Sequence, residues 1–286
     1  MTFVQGAISI SMWFRLAVLK SKDDALLMTV NFLAPILAPV LGGQLLRITS
    51  WRGVFVTLAF LGGLAFLAAA FGIGETLEPS HRQRSGISAT WRAMGVLLAN
   101  RRFVGYALSS SFAFAAAMVY ISMAPFVLEN IYGLSPQTFG LLFGVNAIGL
   151  AGMSQVSAWL VSRRSPQALL IGGVAALALA SLAMLIVVLA RIGLIGVLPL
   201  LFVFVASLGF IMPNAAALAL ATIDTRATGS GSGLLGLLQF AIGAILAPLV
   251  GLSGTTTAIP MVAAMATFGI VALITCLVLA RSVQLR

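Results

Sequence analysis

A chain of 286 residues that is 61% hydrophobic and 8% charged is not an ordinary soluble domain, where about a quarter of residues carry charge. Its net charge of +10 comes from basic residues scattered among short polar stretches rather than gathered in one region, which argues against a nucleic-acid-binding domain. The single cysteine, Cys276, stands inside an apolar run and excludes an internal disulfide framework.

The apolar runs match a bilayer core of about 30 Å crossed at about 1.5 Å per residue, so an all-α polytopic membrane protein is expected. In chain order the predicted spans are 1–19, 25–46, 53–74, 103–128, 137–161, 167–190, 193–222, 228–252 and 257–280, nine in all. Gln5, Ser9, Ser11 and Arg15 dilute the first span. The N-terminal stretch has no basic n-region, so no cleaved signal peptide is expected.

Nine spans put the two termini on opposite sides. A cytoplasmic C-terminus places Arg15, Lys20, Lys22, Arg82, Arg84, Arg92, Arg101, Arg102, Arg163, Arg164, Arg226, Arg281 and Arg286 inside, and Arg47, Arg52 and Arg191 outside. Thirteen against three predicts a cytoplasmic C-terminus and a periplasmic N-terminus.

Residues 75–102 are the one long polar stretch, and they divide the chain. The expected organisation is a partial N-terminal bundle over 1–74, a cytoplasmic linker over 75–102, and a six-helix bundle over 103–286. In the linker, Ile87, Trp91, Met94 and Leu98 recur at helical spacing with Arg92 off the stripe. That pattern fits a helix lying on the inner membrane surface, with an irregular solvated linker as the alternative.

Two stretches repeat: Leu37-Ala38-Pro39-Val40-Leu41-Gly42 and Leu246-Ala247-Pro248-Leu249-Val250-Gly251. Repetition at long range points to two similar halves, as in many secondary transporters. The second half opens near Phe103, which leaves far more chain before Pro248 than stands before Pro39. By that comparison the first half is short by about 107 residues, room for roughly three helices. Pro39 removes a backbone hydrogen bond and bends its helix, while Gly42 and Gly43 let a neighbouring backbone come close. The bent, small-residue face suits a seam between moving bundles, or tight packing alone.

Along span 103–128, Tyr106, Ser110, Ala113, Ala117 and Tyr120 form one stripe at three- and four-residue steps, with small residues between two aromatic rings. Such a stripe fits a cavity wall. Asn31, Asn146, Gln155, Asn214 and Gln239 are further polar groups inside spans, where a polar group is costly unless paired or facing a cavity. Asn146 and Gln155, nine residues apart, point to opposite faces of one helix and do not both line one cavity. Pro213 bends the helix beside Asn214 and frees a carbonyl there. For each of these positions an interhelical hydrogen bond that only stabilises packing is the competing reading. Arg163-Arg164 is read either as a remnant of a cytoplasmic gating loop or as positive-inside topology alone.

All six acids, Asp23, Asp24, Glu75, Glu78, Glu129 and Asp224, fall at span boundaries. The sole histidine, His81, lies in the polar linker. Metal-dependent proteolysis and zinc chemistry lack their residues, and Asp23-Asp24 suits a solvated helix start better than a metal-bound prenyl-transfer site. No enzyme activity, metal or cofactor is expected.

Ala38-Pro39-Val40-Leu41-Gly42-Gly43 resembles the fifth-helix antiporter motif of the major facilitator superfamily, though Ala38 stands where glycine is usual. Glu75-Thr76-Leu77 resembles the end of that family's sixth helix. Gly209-Phe210-Ile211-Met212-Pro213-Asn214-Ala215, followed by Gly229-Ser230-Gly231-Ser232 and Gly236-Leu237-Leu238-Gln239, resembles helices ten and eleven of its Bcr/CflA drug-resistance branch. Ala124-Pro125-Phe126-Val127 with Phe139-Gly140 is similar to the helix seven–eight hairpin, and Phe3-Val4-Gln5-Gly6 to the start of helix four. The resemblance implies helices four to twelve of that fold with the first bundle incomplete, in a bacterial inner membrane. It implies multidrug efflux by proton-coupled antiport with alternating access, by a monomer whose partners are small-molecule drugs or metabolites, protons and the lipid bilayer. Ala38, Pro39, Gly42, Gly43, Pro213, Pro248 and Gly251 would make up the antiporter motif and serve gating. Asn31, Tyr106, Ser110, Tyr120, Asn146, Asn214 and Gln239 would face substrate. The membrane carboxylate that such coupling uses is absent from the spans, so residues 1–286 alone are expected to confer no drug resistance. A non-transporting remnant, or a facilitator of a sugar or organic acid, is the alternative.

Overall fold

In hydrocarbon every backbone N–H and C=O must be satisfied within the chain, so long apolar runs become helices. The computed structural model describes residues 45, 48–72, 94–224, 227–251 and 257–279. The expected spans 1–19 and 25–46, with Asn31, Ala38, Pro39, Gly42 and Gly43, lie outside them except for Leu45. Seven helices among the described residues are long and apolar enough to cross a membrane. They are α1 (Trp51–Gly72), α2 (Arg101–Pro125, prolonged by a π-helical turn Phe126–Ile131), α3 (Pro136–Leu160), α4 (Pro166–Leu189), α5 (Leu194–Ala221), α6 (Thr228–Gly251) and α7 (Ile259–Leu279). Each agrees with its predicted span to within about three residues, the tolerance of helix-end assignment.

The helix starts follow from local chemistry. Asn100 caps α2, its Oδ1 accepting from the backbone N–H groups of Arg102 and Phe103 at 3.1 and 3.2 Å. Ser135 and Ser165 cap α3 and α4 through hydrogen bonds from Thr138 N and Ala168 N, each followed by a proline whose fixed φ is ready for the first turn. The tight turn between α4 and α5 places Arg191 (φ 55°) and Gly193 (φ 86°) in the left-handed region. Pro125 ends regular α2: it has no N–H to donate, and the backbone widens into the π-helical turn directly after it.

The chain divides into two compact units, Met1–Ser88 and Ala89–Arg286. In the first, α1 opens with the Trp51 ring edge-on to Phe55 at 6.2 Å and the Arg52 guanidinium 4.6 Å from the Trp51 ring centre. Aromatic and basic groups together are what a membrane–water boundary selects.

The second unit is a six-helix bundle, α2 to α7. Helix α2 is its centre, packing against α5, α6 and α7, while α4 packs on α5 and α7, and α3 on α5. Fifteen of the twenty-five residues of α2 are buried. In the short helix 94–99, Leu97 is buried in the core and Leu98 is exposed. Met94 and Leu98 belong to the stripe expected on the membrane surface, whose Ile87 and Trp91 lie outside the described residues, and Leu97 is what fastens this turn to the bundle. At the ends of the bundle, Asn100 Nδ2 donates to Thr222 O at 3.0 Å and an Arg101 guanidinium nitrogen donates to Val278 O at 3.4 Å. These bonds tie the start of α2 to the ends of α5 and α7.

Helix α5 approaches α3 backbone to backbone at Gly209. A Cβ there would lie 2.6 Å from Leu150 O and 2.7 Å from Ser154 N. Only glycine permits that spacing, the usual device for close helix contact in a membrane.

Candidate functional site: polar pairs in an apolar bundle

Side-chain pairs hydrogen-bonded to one another bridge helices inside the second unit, and three of them join most of the polar residues picked from the sequence. On α2, Tyr120 accepts a hydrogen bond through its hydroxyl from Asn146 Nδ2 of α3 at 3.1 Å. The Tyr120 ring stacks on Phe143 at 6.1 Å and 16°, and Phe143 in turn meets Phe139 at 6.1 Å. Ten residues earlier on α2, about 15 Å along the axis, Ser110 Oγ accepts from Gln239 Nε2 of α6 at 3.3 Å. Ser110 Oγ itself donates a hydrogen bond to Ala107 O at 3.0 Å. Nearby, Phe114 of α2 meets Phe240 of α6 edge to face at 5.1 Å. The third pair lies away from α2: Asn214 Nδ2 of α5 donates to Ser157 Oγ of α3 at 2.7 Å and to Phe210 O at 2.7 Å.

The stripe expected to line a cavity, Tyr106, Ser110, Ala113, Ala117 and Tyr120, is buried throughout. It lies on the side of α2 between α3 and α6, where two of its members are hydrogen-bonded across helices. The interhelical-bond reading therefore accounts for the contacts of Ser110, Tyr120, Asn146, Asn214 and Gln239 as they stand. Asn146 is buried and Gln155 exposed, as opposite faces of α3 require. Tyr106 shares the stripe with Ser110 and Tyr120 and is buried with them.

Pro213 sits within a continuous α5, one turn after Gly209, whose carbonyl it cannot bond. Gly209, Pro213 and Asn214 thus combine close approach, a missing backbone bond and a side-chain tie on one stretch facing α3. Pro248 likewise lies within a continuous α6, and Gly251 at its end faces open space. Its repeat partner Pro39 is outside the described residues. Arg163 and Arg164 occupy the exposed turn between α3 and α4, and the Arg163 guanidinium stands 4.2 Å from the centre of the Trp159 ring.

Sequence reasoning did not single out Ser157, Gly209 as a contact, or Ser109, whose Oγ donates to Ala272 O at 3.0 Å and ties α2 to α7. Serine and glycine are common in membrane helices, and nothing along one helix marks which of them meets a partner. Among the described residues, Glu129 and Asp224 are the two acids, and both lie at helix ends. No three metal-ligating side chains cluster among those residues.

The profile of the Major Facilitator Superfamily matches residues 6–248. An uncharacterized MFS-type transporter, YdgK, of Bacillus subtilis is 34% identical over 247 residues, covering 86% of this chain and 61% of that protein. A bicyclomycin resistance protein homolog of Haemophilus influenzae is 27% identical over 241 residues, 84% of this chain and 60% of that protein. The multidrug transporter MdfA of Yersinia pestis is 31% identical over 140 residues, 48% of this chain and 34% of its own length. The chain thus spans about three fifths of the length of the first two relatives. A six-helix bundle centred on α2, multiple membrane-crossing helices and a profile match over most of the sequence lead to one conclusion: the chain belongs to the major facilitator superfamily, whose members are membrane transporters rather than enzymes.

Proposed function

We propose that this chain serves multidrug efflux across the bacterial inner membrane, in the Bcr/CflA branch of the superfamily, by proton-coupled antiport with alternating access. The cytoplasmic C-terminus and the domain division 1–74, 75–102 and 103–286 are part of the same reading. The relatives named for bicyclomycin resistance and multidrug transport support the branch. The observation that carries the site is the pair of polar contacts on one side of α2, Tyr120 with Asn146 and Ser110 with Gln239. Each pair is a donor–acceptor couple between two helices. Substrate amide, hydroxyl or ring groups would exchange for the interhelical partner when the helices part, so the pairs hold the closed state and read the ligand in the open one. Interhelical bonds of this kind contribute only about 0.6 kcal/mol on average, small enough for such an exchange. The ring series Tyr120, Phe143 and Phe139 supplies an apolar, polarisable wall beside them.

Bicyclomycin binding to the purified chain in lipid nanodiscs tests the site. Asn146→Leu and Gln239→Leu are expected to weaken binding about tenfold each, the size of one lost polar contact to a buried ligand group. No binding by the unaltered chain, or binding indifferent to both changes, contradicts the assignment. Drug accumulation in a pump-deficient host tests the coupling. Efflux that an uncoupler abolishes supports antiport by this chain. Retained binding without efflux supports the non-transporting alternative.

A further inference from the structure

Away from the two polar pairs on α2, and beside the Asn214–Ser157 pair, α3, α4 and α5 border a groove of about 430 Å³. Met153, Leu169, Gly172, Gly173, Phe202 and Phe210 are among its walls, which are almost wholly apolar. Ser207, the one hydroxyl on the lining, donates its hydrogen bond to Val203 O at 2.6 Å, which leaves one acceptor oxygen, fewer than the two partners a held water needs. Apolar cavities without polar partners stay dry, and the occupant must therefore be apolar. Gly173 forms part of the floor, because a Cβ on it would lie 2.8 Å from Phe210 Cβ; Gly172 faces open space.

The position of the groove says what enters it. Its α4 lining runs from Ala168 to Ala176, within the first turns after Pro166, so the groove begins beside the 161–165 turn and descends roughly 12 Å, close to half a bilayer core. Arg163 and Arg164 stand in that turn, both exposed. The contact of Arg163 with Trp159 sets this level as the membrane–water boundary, where tryptophan and arginine collect. No acid lies in the turn or among the lining residues to neutralise them. A dry, narrow, membrane-depth groove with two cations at its mouth matches one lipid, with its phosphate at the arginines and an acyl chain below. We propose that the groove between α3, α4 and α5 is a site for an anionic phospholipid of the leaflet that faces the Arg163–Arg164 turn. This site is distinct from the two polar pairs on α2, and the proposal holds whichever side of the membrane that turn occupies. An apolar tail gains little by leaving bilayer hydrocarbon, so selection rests on the headgroup, and retention on the shape of the groove.

The test is native mass spectrometry of the full chain extracted from vesicles of equal parts phosphatidylglycerol and phosphatidylcholine. One retained phosphatidylglycerol is expected, preferred over phosphatidylcholine roughly thirtyfold, the effect of two basic groups at a membrane surface. The Arg163→Gln, Arg164→Gln double variant is expected to retain a lipid without preference. Gly172→Leu is expected to lose the bound lipid while its helix melts no earlier, since the new side chain enters open space and favours helix. No preference in the unaltered chain overturns the proposal. So does preference that survives loss of both arginines, and so does preference that survives Gly172→Leu, which would place the lipid on the arginines alone.

Discussion

Replacing Gly209 with alanine adds one methyl group at the closest approach of α5 to α3. That carbon would meet Leu150 O at 2.6 Å, Ser154 N at 2.7 Å and the Met153 carbonyl carbon at 3.0 Å. All three are backbone atoms, so no rotamer change relieves the contact and the two helices must separate. Overpacking of this kind costs about 1–3 kcal/mol. Separation also stretches the Asn214–Ser157 bond, 2.7 Å long and one turn away, which is worth about 0.6 kcal/mol. The helix-propensity gain of Gly→Ala, up to about 1 kcal/mol, offsets part of the loss. A net destabilisation of about 2 kcal/mol follows. Dodecyl sulfate titration of the purified chain, followed by circular dichroism, measures it against Gly172→Ala, where the added carbon meets nothing and stability is unchanged or slightly raised. Asn214→Leu combined with Gly209→Ala should cost less than the sum of the two, because both act on one contact. Equal stability of the Gly209→Ala and Gly172→Ala chains would refute the close-approach argument.

Asn100→Ala removes the α2 cap and the bond to Thr222 O together, and is expected to destabilise the bundle by about 1 kcal/mol or more in the same titration. Tyr120→Phe leaves the Asn146 amide without its hydroxyl acceptor while keeping the ring stack. The expected loss is about 1 kcal/mol, and Asn146→Leu added to it should cost little further. The proposed orientation predicts that, in intact cells carrying Cys276→Ala, a membrane-impermeant thiol reagent labels Ile192→Cys and not Ser162→Cys. The reverse pattern would invert the topology.

The spans were legible because bilayer thickness imposes a length on every apolar run, and because Ser135-Pro136 and Ser165-Pro166 state where α3 and α4 begin. The family was legible through sequence motifs rather than physics. Spacing put Ser110 and Tyr120 on one side of α2, but a helical period does not say whether that side opens or packs. Nor does it announce the partner, since Gln239 reaches Ser110 from 129 positions away. The π-helical turn after Pro125 was hidden because a proline signals that regular bonding stops, not what replaces it. Gly209 and Ser157 stood among many small residues, and only the partner helix distinguishes them. The burial of Leu97 was hidden because a six-residue helix does not state which neighbour it meets.

Whether the α2 side is a substrate wall or a permanent packing seam is decided most directly by thiol reactivity at Ser110→Cys in a Cys276→Ala chain held in native membranes. The account predicts that a small maleimide modifies this position and that the proposed substrate slows the reaction several-fold. A thiol that never reacts, or reacts at one rate with and without substrate, would assign Ser110 and Gln239 to packing and contradict the proposed site.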